Sequence, residues 1–324
     1  MSSFNPNFSL RDLLKIAGGI VGIDLLPSAS FAQRGADGKP LKSPLPAFDN
    51  DPIKVTELEK NLYLLMGAGG NIVLLTGADG SILVDTGVPS RGKDLQKTIK
   101  SLTKQPVVTV INTHFHFDHT GGNETFGTAK ASIVAQEETR TRMSSPQTIE
   151  LIGFTVPASP PIALPSLTFE NKLTLHRNNT TIHLTHVPPA HTDTDVFLHF
   201  QAQNVIHATD LFFNGFYPII DYSSKGWIGG MVYGIDQVLA IANNDTKIVP
   251  GHGPLGTYAQ LLESRTMLAL VQSRIEPLVK AGKTVEEIVA AKPTSDLDEK
   301  WGKGTLNPDT FVKDAVMSLV RHMV

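Results

Sequence analysis

From Ile53 onward the chain alternates short apolar runs with turn residues. IKVTEL, NLYLLMG, NIVLLTG and SILVDTG follow one another, separated by Gly, Asn and Asp. Such runs predict an antiparallel meander of about four strands. A helical period covers roughly residues 91–102, and the continuous apolar run VVTVI at 107–111 reads as a buried strand. A short strand at 132–135 and a helix near 136–142 come next. Five prolines between 144 and 166 (Pro146, Pro157, Pro160, Pro161 and Pro165) predict irregular backbone, a candidate lid or substrate loop. LTFE, KLTLHR, TTIHLTHV, DVFLHF and NVIHATD then open what reads as a second set of strands. A helix around 228–242, the strand KIVP, a helix from Thr257 to about Val279 and apolar-periodic segments at 284–291 and 308–323 complete the chain. Two runs of strands, each followed by helices, predict an α+β fold of two facing sheets with helices outside.

The N-terminal part has a different texture. Arg11 and Lys15 lead into the weakly apolar run Ile16–Leu26, Pro27 breaks it, and Ser30-Phe31-Ala32 has the small-x-Ala form of a cleavage site. Residues 1–32 are therefore expected to be an export signal, which predicts a periplasmic location. SLRDLLKIAGG resembles a twin-arginine leader in which Leu10 stands at one arginine position. The run is short for a bilayer and carries Asp24, which argues against a stable membrane span. Residues 33–52, rich in Pro, Gly and charge, read as a linker to a domain at 53–324.

Composition narrows the chemistry. The 324 residues suffice for one large domain or two small ones, and a mean hydropathy of −0.03 with 18% charged residues excludes bulk disorder. A net charge of −3 argues against a nucleic-acid partner. The absence of cysteine removes thiolate nucleophiles and cysteine metal ligands, so metal chemistry must use nitrogen and oxygen donors. Eleven histidines supply them.

Four donors are concentrated in THFHFDHTGGN, just beyond the apolar run at 107–111. In extended backbone His114 and His116 point the same way and can grip one ion; Asp118 and His119 follow where the chain turns and can face a second. Zinc suits such a set. Further candidates stand at strand ends: His191 in PPAHTDTD, Asp210 in NVIHATD, and His252 in VPGHGP, between two glycines that leave room for an ion. His176, His183, His186, His199 and His207 belong to strand patterns and read as structural, and His322 as solvated.

In this order the residues resemble the metallo-β-lactamase superfamily over about residues 55–255, with C-terminal helices at 257–324. The motif comprises Asp85 in LVDTG, the H-x-H-x-D-H loop, then His191, Asp210 and His252. The resemblance implies an αββα sandwich and two Zn²⁺ ions per chain. His114, His116 and His191 would bind one; Asp118, His119 and His252 the other; Asp210 would bridge. Asp85 would orient a ligand histidine from behind. A hydroxide between the metals would attack an ester, thioester, lactone or β-lactam carbonyl, with Asp118 as its proton shuttle.

Departures within the family refine the expectation. Asp210 stands where the cysteine-ligand lactamases have their thiolate, and the three-histidine type lacks a bridging Asp, so the chain is nearer the glyoxalase II and lactonase-like branch. Lactonases carry a tyrosine soon after that Asp, where this chain has Phe213, with Tyr217 and Tyr222 beyond it. Glyoxalase II places basic residues there, and this chain has none before Lys225. RNA-processing and diiron flavoprotein relatives carry extra domains. Phe212, Phe213, Phe216, Tyr217 and Trp227 are candidate lining for an apolar or ring-bearing small-molecule substrate. The alternatives are a mononuclear iron persulfide dioxygenase-like enzyme and a periplasmic relay protein with a non-catalytic metal site. Oligomeric state is not encoded in any pattern of the sequence.

Overall fold

The computed structural model describes residues 41–44 and 46–324; the leader read at 1–32 lies outside them. After a short helix α1 (Pro46–Asn50), four strands form the antiparallel meander: β1 (Lys54–Glu59), β2 (Leu62–Met66), β3 (Ile72–Leu75) and β4 (Ser81–Val84). Helix α2 (Gly92–Leu102) returns the chain so that β5 (Val107–Ile111) lies parallel to β4. The helices α3 (Phe117–Thr120) and α4 (Asn123–Thr128) and the parallel strand β6 (Ser132–Gln136) follow, then α5 (Glu137–Met143). The proline-rich stretch contains a hairpin, β7 (Gln147–Ile149) with β8 (Phe154–Val156), and β9 (Leu167–Phe169) closes the first sheet.

The second sheet runs β10 (Lys172–Arg177), β11 (Thr180–His186), β12 (Val196–Phe200) and β13 (Val205–His207), antiparallel, with β14 (Lys247–Val249) parallel at its edge. Helices α6 (Ile228–Leu239), α7 (Tyr258–Lys280), α8 (Val285–Ala290), α9 (Asp298–Trp301) and α10 (Pro308–His322) cover its outer side. Thr257 and Gln260 begin α7 with a capping box, which satisfies free N–H groups of its first turn.

The apolar alternation explains the layers. Leu64, Val73 and Ile82 face Ile182, Leu184 and Leu198 between the sheets, while Leu65, Leu74 and Leu83 turn outward onto Leu95 and Ile99 of α2 and Phe126 of α4. On the far side Phe197, Ile206 and Ile248 meet Met231, Leu268 and Phe311 from the C-terminal helices. Both faces of the central strands are thus buried, which is why they read as continuous apolar runs. The result is a four-layer αββα sandwich. Among the described residues no helix is long and apolar enough to cross a membrane.

Four local expectations change. LTFE does not open the second sheet: Leu167–Phe169 pairs parallel with β6, because the proline-rich segment folds back and Ser166 N donates to Ile133 O at 2.8 Å. That segment carries regular structure in its hairpin. The strand NVIHATD stops at His207, since Thr209 takes a φ of +49° and turns Asp210 into a 3-10 turn. The stretch read as a linker contains α1, fastened where Arg91 Nη1 donates to Phe48 O at 3.1 Å and to Gly67 O at 3.0 Å.

Candidate metal centre

The cluster forms where the parallel strands end. At the end of β4, Asp85 adopts a left-handed φ of +63° that turns its carboxylate beneath the loop after β5. There it accepts from Thr113 N at 2.8 Å and Thr113 Oγ1 at 2.7 Å, and lies 2.7 Å from His119 Nδ1. Three interactions on one buried carboxylate fix the loop and leave His119 Nε2 facing the cluster.

His116 is oriented by a segment distant in the chain. Its Nε2 lies 2.9 Å from Asp221 Oδ2, and its Nδ1 faces His191 Nε2 at 3.0 Å. His191 Nδ1 in turn lies 2.8 Å from the Ile219 carbonyl. His114, His116, His191 and Asp210 bring one ligand atom each to within 4.8 Å of one another, and so do Asp118, His119 and His252. Asp210 stands between the groups: its Oδ2 is 3.4 Å from His191 Nε2 and 3.3 Å from His252 Nε2, and its Oδ1 is 3.2 Å from His119 Nε2. All seven predicted positions meet at this one place.

The donor set fits a metal. Among the described residues His114 Nε2 and Asp210 Oδ1 are buried and have no hydrogen-bond partner, a costly state for polar atoms unless a cation completes them. Imidazole and carboxylate donors without thiolate suit zinc or iron.

The family model of the metallo-beta-lactamase superfamily matches residues 66–275. The chain belongs to this superfamily. Its fold is similar to that of a metallo-beta-lactamase from Pontibacter korlensis, 19% identical with a TM-score of 0.57, over 67% of this chain and 99% of that one. It is also similar to the stereoselective inverting sec-alkylsulfatase Pisa1 from Pseudomonas sp., 18% identical with a TM-score of 0.63, over 95% of this chain and 59% of that one.

Electrostatics in this superfamily member follow from burial opposed by carboxylates. Burial pushes His191 down to about 4 and His114 well below the usual histidine range. Burial would do the same to His252, but Asp210 and Asp118 hold it up at about 9; Asp210, Asp118 and Asp85 likewise raise His119. Asp118, which burial would raise, is held at about 2 by His119 and His252. The carboxylates thus demand positive charge at the cluster, the electrostatic condition for holding a divalent cation.

Two glycines permit this crowding. A Cβ on Gly70 would strike the His119 ring, and one on Gly251 would strike Asp210 Oδ1 and the Thr209 backbone. The room beside His252 is therefore taken up at Gly251 by the Asp210 carboxylate.

The five aromatic candidates separate. Phe213 lines the cleft over the cluster and stacks on His252 with ring centroids 5.0 Å apart; Phe216 meets Phe213 edge-on at 5.8 Å. Phe212 is buried against Gly256, Tyr217 stacks on Phe311 at 4.1 Å and donates to Asp298, and Trp227 stacks on His322 at 3.5 Å. The chain is extended at Phe212 after the 3-10 turn, so Phe212 and Phe213 point to opposite sides and sequence proximity did not translate into a shared pocket.

Sequence reasoning passed over three contributors. Asp221 in PIIDYSS carries no local sign of its partner His116. Asp195 accepts from His191 N at 2.7 Å and Thr192 N at 2.9 Å, and the HTDTD run is a visible turn signal for it. Phe48 lies over His252 with centroids 5.8 Å apart, far outside any motif. Of the histidines read as structural, His207 is buried with Nε2 at 3.0 Å from Asn71 O.

Proposed function

We propose that the protein is a hydrolase that holds two zinc ions and uses them to direct water at an ester, thioester, lactone or β-lactam carbonyl. His114, His116 and His191 would hold one ion and Asp118, His119 and His252 the other. The observation that carries this reading is the place of Asp210, within 3.4 Å of donors from both groups. β-Lactamases and an alkylsulfatase of this fold support hydrolysis as the reaction class.

When bound, such ions lower the pKa of water toward about 7 and polarise a carbonyl oxygen. The chain's own residues do the rest. Asp118 lies in the cleft wall, and a carboxyl held at about 2 stays ionised, so it can accept a proton from the attacking water. The acyl–leaving-group bond breaks, and that proton passes to the leaving group. Asp221 and the Ile219 carbonyl fix the His116 and His191 rings, so the donor geometry need not reorganise during the reaction.

Metal analysis of the purified chain with a substrate panel tests this. Two zinc per chain and metal-dependent hydrolysis of a panel member are expected. One iron per chain with oxygen consumption would favour the dioxygenase instead, and zinc without hydrolysis of any panel member would give weight to the relay role. Export to the periplasm is proposed from residues 1–32; a mature protein beginning after Ala32 is expected by mass spectrometry, and an intact Met1 in the native host would refute it.

A further inference from the structure

We propose that the cleft over the cluster selects uncharged acyl compounds with an apolar tail and rejects those bearing a carboxylate, a substrate class that rests on the hydrolase reading above. Four separate segments converge on it. Phe48 comes from α1, Phe117 from α3, Ile149 and Ile152 from the hairpin region, and Phe213 and Ile219 from the stretch after Asp210. Beyond the ligand side chains themselves, the wall is almost wholly apolar.

Charge argues in the same direction. Among the described residues no lysine or arginine lines the cleft. The basic side chains nearby are occupied: Arg142 Nε and Nη2 lie 2.5 and 2.6 Å from the two oxygens of Asp193, and Lys225 Nζ lies 3.1 Å from the same carboxylate. At the hairpin, Arg321 faces Glu150 at 3.0 Å. The cleft wall itself contributes the carboxylates of Asp118 and Asp210 and no basic side chain, so it offers no fixed cation to draw an anionic substituent. A carboxylate on the tail side of this cleft would lose water and find no basic side chain to pair with, whereas an alkyl tail gains by leaving water. β-Lactam antibiotics carry such a carboxylate, so among the four carbonyl classes the cleft favours neutral esters, thioesters and lactones.

The test pairs kinetics with binding on the full chain. With the zinc-loaded protein, kcat/KM for p-nitrophenyl esters is expected to rise from acetyl to hexanoyl by about threefold per methylene. A glutaryl ester should fall about tenfold below the pentanoyl ester. Saturation-transfer NMR on the protein as purified should show hexanamide binding and its ω-carboxylated counterpart, adipamic acid, failing to bind. Phe48→Ala and Ile152→Ala should each flatten the chain-length dependence and weaken hexanamide. Preference for the carboxylated partner in either assay, or no dependence on chain length, would overturn the inference. A carboxylate preference lost in Lys303→Ala would overturn it too, assigning the missing cation to the exposed loop beside Thr305. If no ester is cleaved but hexanamide still binds selectively, the hydrolase reading fails and the cleft assignment stands.

Discussion

Asp221 and His116 are 105 residues apart in the chain, yet Asp221 Oδ2 meets His116 Nε2 at 2.9 Å. Ser224 Oγ donates to the same oxygen at 2.7 Å, so the carboxylate is itself held. A histidine whose outer nitrogen is engaged in this way presents the other in one tautomer and one orientation.

Replacing that carboxylate should therefore loosen the first ligand group while leaving the fold intact. For Asp221→Ala, chelator competition is expected to show metal affinity lower by about 10- to 100-fold. Asp221→Asn should fall between, since its amide oxygen still accepts a hydrogen bond. Unchanged affinity in Asp221→Ala would show that Asp195 and the Ile219 carbonyl suffice to set the group.

Asp210 and His252 should differ in how much metal their loss releases. Asp210→Ala removes the carboxylate proposed to serve both groups and is expected to leave less than about one ion per chain, with kcat/KM down by about 10³-fold or more. His252→Ala touches only the second group and should retain about one. Equal metal content in the two variants would mean that Asp210 serves a single group.

Gly251→Ala tests the space behind Asp210. The added methyl meets both the carboxylate and the Thr209 backbone, so it cannot be absorbed by rotating a flexible side chain. Metal content and activity should fall together, by about tenfold or more, while far-ultraviolet circular dichroism stays unchanged. Wild-type metal affinity in this variant would rule out the tight placement of Asp210.

Asp314 offers a pH test away from the ligands. Its Oδ2 accepts from Ile220 N at 2.7 Å, its Oδ1 has no partner among the described residues, and burial raises its pKa well above the usual carboxylate value of 3.8. The folded protein therefore keeps a proton that the unfolded chain releases. Stability from this group is full below about 3.8 and is lost as pH rises toward the folded pKa, by up to about 1.4 kcal/mol per pH unit. Asp314→Asn cannot titrate. Its melting temperature relative to wild type is expected to climb from pH 4 upward, and parallel profiles would show that Asp314 is already ionised in the fold.

The sequence by itself determined what depends on neighbours along the chain. Apolar alternation in β2, β3 and β4 specifies which side chains face each layer, because a strand repeats every two residues and both faces are covered. The H-x-H-x-D-H loop places donors for both groups within six residues, and each of the other candidates stands at the end of a strand pattern. Tertiary structure alone decided what depends on distant segments meeting. It paired Leu167–Phe169 with β6, sent Phe213 into the cleft and Phe212 into the core, set Asp221 behind His116, and laid Phe48 over His252. None of these has a local period or spacing to announce it. A carboxylate or a phenyl ring looks the same in a sequence whether its partner is near or 105 residues away, and only the closure of two sheets and their helices brings such partners within contact distance.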